Sequence, residues 1–141
     1  MMLVSALAII AFATAFHIHW MFGGQLGFSV SLPQQSDGTP VLAHRLNWWG
    51  PGAGAVALLL IVLSLLLLGR TGHLRLPLPR GVVSFTLVCV GVVFMCRALV
   101  PNRYVGFFKQ LRTTRWAKYD TLLYSPLFLV LGLLILLQAL N

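Results

Sequence analysis

The sequence predicts an all-α integral membrane protein: a four-transmembrane-helix bundle with a basic interfacial segment between helices 3 and 4. Three observations predict it. Four uncharged apolar runs, at 2–16, 51–68, 82–96 and 127–140, occupy most of the 141 residues. Apolar residues make up 59% of the chain and charged ones 9%, against roughly 25% charged in soluble domains, so lipid rather than water must cover the surface. The ten Lys and Arg sit beside the runs rather than in their middles, where anionic headgroups supply the counter-charge to a net +8. The basic balance therefore points to membrane lipids and away from nucleic acid. One compact membrane domain, 1–141, is expected, since no interhelix segment is long or regular enough to fold alone.

The first span reads as 2–22, long enough for a hydrocarbon core of about 30 Å, with Trp20 near its boundary. Ala13-Thr14-Ala15 resembles a signal-peptidase site, but no Lys or Arg precedes the run, so the segment reads as a retained span. The second, 50–69, opens with Asn47 as a candidate cap, Trp48 and Trp49 at the interface and Pro51 in the first turn. Gly50 and Gly54 lie four apart and can admit a neighbouring helix. The third, 81–100, ends at Pro101 with Arg97 one turn inside. From Pro126 to the last residue there is too little helix to span, so the fourth is expected at 120–140, with Asp120 as its cap and a kink at Pro126.

Loop one, 23–47, is rich in Gly, Ser, Gln and Pro with apolar islands, compatible with an ordered lid or a short strand pair. Loops one and three share one membrane side in a four-span weave. That side carries Arg45, Arg97, Arg103, Lys109, Arg112, Arg115 and Lys118 against Arg70, Arg75 and Arg80 on the other, which predicts loops one and three in the cytoplasm. The weave also brings His17, Trp20, Trp48, Arg97, Arg103, Tyr104, Asp120 and Tyr124 to a common level, whichever way the chain inserts.

Chemistry is sparse. On a helix at about 100° per residue, His17 and His19 point apart, so they do not form a chelate. No metal cluster or cofactor fingerprint is present, and Cys89 and Cys96 lie too far apart along one helix to pair. His17 and Trp20 lie beside the Gly23-Gly24 notch, either as interfacial anchors or as part of a site. If 103–112 is helical, Tyr104, Phe107, Phe108 and Leu111 share an arc, with Lys109, Arg112, Arg115 and Lys118 sweeping round a basic surface. Such a surface suits simple anchoring or a lipid-phosphate site. Arg97 is close enough to its span end to snorkel; Asp120 either caps its helix or partners Arg97 or His17.

Taken together, the stretches Phe16-His17 through Trp20 with Gly23-Gly24, Arg97-Ala98, Arg103-Tyr104-Val105-Gly106-Phe107-Phe108-Lys109, and Asp120-Thr121 with Tyr124-Ser125-Pro126 resemble a family of small bacterial four-span membrane proteins of unknown function. The resemblance covers nearly the whole chain and implies a multi-pass protein of the bacterial cytoplasmic membrane. It implies no activity. Where the family pattern has a Gly-Asp-like pair before the basic run, this chain has Pro101-Asn102.

Two functions follow from these residues. In the first, a non-catalytic module binds an amphiphile or anionic lipid, or docks a membrane partner or a second copy: Trp20, Trp48, Tyr104 and Tyr124 wall the apolar body and Arg97, Arg103 and Lys109 take the headgroup. In the second, a membrane enzyme acts on a lipid-like substrate with His17 as general acid/base and Asp120 as its partner. A channel is disfavoured, because the spans carry almost no internal polar residues.

Overall fold

The computed structural model describes residues 1–41 and 49–141. Among them are four helices long and apolar enough to cross a membrane: α1 (Met2–Met21), α2 (Trp49–Arg70), α3 (Arg80–Leu99) and α4 (Arg115–Leu140). Asn47, Trp48 and Arg45, expected as a cap, an aromatic wall and a flanking charge, lie outside the described residues.

The closest pairings are α3 with α4 and α1 with α2; α1 also touches α4, and α2 touches α3, which closes the ring. Lipid tails are as apolar as Leu, so helix association here depends on close packing more than on hydrophobic burial. Glycines provide it. A Cβ built on Gly132 would lie 3.0 Å from the Gly91 carbonyl oxygen, and one on Gly50 would lie 3.0 Å from that of Met21. The small-residue spacing of Gly50 and Gly54 thus meets the end of α1. Outward positions such as Leu58, Leu59, Phe85 and Val93 are exposed, as a lipid-facing surface requires.

The apolar core gathers Ala6, Ile10, Leu63, Leu67, Val83, Leu87, Leu131 and Ile135, at the start of α1 and α3 and the end of α2 and α4. The other end of the bundle is therefore the polar one. Loop one folds there as a 3-10 turn at Phe28–Val30 followed by a small hairpin, in which the Gln35 and Val41 amides donate to the Thr39 and Pro33 carbonyls. The short strand pair takes the form of a single bridge between Gln34 and Pro40.

Two local expectations are corrected. First, α4 begins at Arg115, not Asp120: Thr114 is extended and its side chain accepts from the Ala117 amide at 3.1 Å, so the cap lies six residues before the expected one. Asp120 lies inside the helix, in a π turn, Asp120–Tyr124, where the Ser125 N–H donates to the Asp120 carbonyl. Second, residues 101–113 form no helix. Gly106 sits at φ +88°, a conformation that L side chains rarely adopt, and the loop folds back onto the end of α3, where the Phe107 amide donates to the Ala98 carbonyl at 2.9 Å.

Candidate functional site

Asp120 organises the polar end. It is one of two acids in the chain and its exposure is 0%. An isolated carboxylate at this depth would be costly, and the fold surrounds it with donors. The Arg97 guanidinium donates Nη2 to Oδ1 at 2.6 Å. Lys109 Nζ and the Gly106 amide reach Oδ2 at 3.0 and 2.9 Å, and the Ser125 hydroxyl donates to the same oxygen at 3.2 Å. The ammonium in turn donates to the Gly106 carbonyl at 3.0 Å and the Thr121 hydroxyl at 2.6 Å, and the Thr121 hydroxyl donates to the Ala117 carbonyl at 3.1 Å.

Local backbone makes this convergence possible. In an ordinary α-helix residues i and i+5 stand about 140° apart, but the widened i→i+5 turn returns Ser125 to the face of Asp120. Pro126 follows directly and has no N–H to restore the tighter register. The positive φ of Gly106 turns its amide toward the carboxylate. A Cβ there would lie 2.9 Å from the Ala98 carbonyl oxygen and 3.0 Å from that of Arg97.

The Arg-Tyr-Val-Gly-Phe-Phe-Lys run is thus a strap that wraps Asp120. Residues 7–135 match a family described as "Protein of unknown function (DUF3995)". The chain belongs to that family. No curated protein and no solved structure matches it. In this family member, Asn102 stands where an acid was expected, and its side-chain oxygen accepts from the Tyr104 amide at 2.9 Å. An aspartate makes the same turn, so the departure leaves the loop geometry satisfied.

The remaining candidates separate into two groups. Tyr104 and Tyr124 join the strap through Trp116, which donates Nε1 to the Tyr104 carbonyl at 2.8 Å and stacks on Tyr124 at 5.2 Å. Arg103 is exposed and rests over the Tyr104 ring, while Arg97 also covers the Phe128 ring at 4.6 Å. His17 stands apart from this cluster. Its Nδ1 bonds the Ala13 carbonyl at 2.8 Å, its ring meets Trp20 edge-on, and it is not among the partners of Asp120. Trp20 is buried, and its indole donates to the Leu26 carbonyl at 2.8 Å as loop one folds back over it. Among the described residues, no three His, Cys, Asp or Glu side chains gather as a metal site would need.

Lys109 does not belong to an outward basic surface. At 2% exposure it is a counter-charge inside the strap, and Arg97 shares that role at 18% side-chain exposure. At this end of the bundle, the cations that face outward among the described residues are Arg103, Arg112, Arg115 and Lys118. Arg112, Arg115 and Lys118 border an open hollow of about 560 Å³ with the rings and chains of Phe107 and Leu122 on its apolar side. Sequence reasoning gave no role to Gly106, Thr114, Trp116, Thr121 or Ser125. A lone acid followed by Ser-Pro five residues on was the available signal.

Proposed function

We propose that this protein is a non-catalytic module of the bacterial cytoplasmic membrane that binds a phospholipid by its phosphate at the hollow beside Arg112, Arg115 and Lys118. The observation that carries the reading is the union of three exposed cations with the exposed Leu122 and the half-buried Phe107 at the polar end of the bundle. Guanidinium and ammonium groups give a phosphodiester charge-assisted hydrogen bonds, and Thr113 adds a hydroxyl to the rim. Phe107 and Leu122 would lie along the first methylenes of the acyl chains. Arg97 and Lys109, first expected to take the headgroup, instead hold the loop that presents the ridge.

The binding reading is preferred to a His17–Asp120 acid–base pair because both Asp120 oxygens already accept hydrogen bonds from structural partners, and His17 is engaged with its own helix. The test is native mass spectrometry on protein extracted with equal amounts of phosphatidylglycerol and diacylglycerol. Phospholipid retention is expected to exceed that of diacylglycerol, and the R112Q/R115Q/K118Q variant is expected to lose that excess. Equal retention of both lipids by both proteins would overturn the reading. The His17→Gln variant should retain phospholipid as the parent does.

A further inference from the structure

Asp37 is the second of the chain's two acids, and the one exposed to solvent. In a chain of net +8 its position is informative. It lines a second open hollow, of about 450 Å³, with Ser29, Gln34, Ser36 and Thr113–Arg115. Thr113, Thr114 and Arg115 border both hollows, so the two lie on either side of one ridge. The hairpin that carries Asp37 is fixed against α4 by Gln34, whose side-chain oxygen accepts from the Trp116 amide at 3.1 Å.

We infer that the occupant of this site is a phospholipid whose phosphodiester ends in a primary ammonium, with Asp37 as the group that recognises that ammonium. The inference rests on the reading proposed above and adds the headgroup class to it. Its basis is the order of chemistry along the surface. Leu122 lies seven residues into the membrane from Arg115, about 10 Å of helix, so the apolar wall is the deep end. The basic ridge comes next, and beyond it the hydroxyls of Ser29 and Ser36 and the Asp37 carboxylate. Apolar, cationic and anionic zones in that sequence match acyl chain, phosphate and ammonium in turn. A surface meant only for anions gains nothing from a carboxylate on its outer side, because like charges oppose the ligand.

Asp37 is held in its ionised form by its own turn. Its Oδ1 accepts from the Thr39 hydroxyl at 2.7 Å and the Thr39 amide at 2.9 Å, and these bonds lower its pKa below the ordinary 3.8. The second oxygen can therefore meet an ammonium at any physiological pH.

The experiment is competition by native mass spectrometry between phosphatidylethanolamine and phosphatidylglycerol of matched chains, added in equal amounts to the full chain and to its Asp37→Asn variant. The parent is expected to favour phosphatidylethanolamine, and Asp37→Asn to shift the ratio toward phosphatidylglycerol by roughly twofold to fivefold, the range of an exposed ion pair. An unchanged ratio with both lipids retained overturns the headgroup assignment and leaves phosphate binding intact. Loss of both lipids' advantage over diacylglycerol in the parent overturns phosphate binding itself. Asp37→Glu should restore the parent ratio, which a merely structural role in the hairpin turn would not produce.

Discussion

Replacing Asp120 by Asn removes the one negative charge that the strap wraps and changes the buried cluster from +1 to +2. Arg97 and Lys109 would then face each other across an amide with no counter-charge, in surroundings where breaking one partner of a buried pair costs about 3–5 kcal/mol. Lys109→Met is milder. Asp120 loses one of its two cations but keeps Arg97, the Gly106 amide and the Ser125 hydroxyl, and with the ammonium's bonds to the Gly106 carbonyl and Thr121 also gone the loss is about 1–3 kcal/mol. In the double variant the uncompensated ammonium is gone, so its total cost should fall short of the sum by about 1–3 kcal/mol. Unfolding in mixed micelles, followed by the tryptophan fluorescence to which Trp116 beside the strap contributes, measures all three variants. Additivity within about 0.5 kcal/mol, or an Asp120→Asn variant no weaker than Lys109→Met, would refute the account of Asp120 as the shared counter-charge.

The fold makes further commitments. Gly106→Ala forces a side chain into a positive φ and against the Ala98 carbonyl, and a loss of about 1–3 kcal/mol is expected in the same unfolding assay. Gly132→Val puts a branched chain where a Cβ already lies 3.0 Å from the Gly91 carbonyl; it should separate α3 from α4 and destabilise by about 1–3 kcal/mol, more than Leu133→Val on the exposed face. Single cysteines at Asp37 and Lys118, in a chain with Cys89 and Cys96 changed to Ser, should be labelled from one membrane side and a cysteine at His73 from the other. With Arg97 and Lys109 committed to Asp120, five cations remain on the loop-three side against three, so that side is expected to be cytoplasmic. Labelling of all three positions from one side would refute the four-span weave.

The four spans were legible because bilayer thickness is a hard constraint, and uncharged runs of this length have no alternative home. The polar end was legible for the same reason, since alternation alone sets which helix ends share a side. The start of α4 was not. Asp120 has the properties of a cap, and only the arrival of Arg97 and Lys109 from elsewhere in the chain allows it to sit inside a helix, while Thr114, equally able to cap, takes the position. Loop three misled for a related reason. Its aromatic spacing fits one helical arc, but the same run holds Gly106, whose positive φ is incompatible with that helix. The contact of Gly91 with Gly132 joins two helices and has no local signature in either.

The strap also explains why a membrane chain would retain three charges where apolar side chains could fill the space. Well-packed hydrophobic residues can replace a buried ion pair without loss of stability, so stability alone is a weak reason for the cluster. What the charges add is direction, since each hydrogen bond to the carboxylate selects one loop conformation. A carboxylate that takes the Gly106 amide on one oxygen, with Lys109 on that oxygen and Arg97 on the other, fixes residues 106 and 109 against the ends of both α3 and α4. Arg112 is then tied through its Nε to the Lys109 carbonyl at 3.2 Å, which carries the constraint from the buried charges to the first cation of the ridge. On this argument the inner charges set the geometry of the outer ones. Disruption of the strap by Lys109→Met should therefore lower phospholipid retention even though Lys109 itself cannot reach a headgroup.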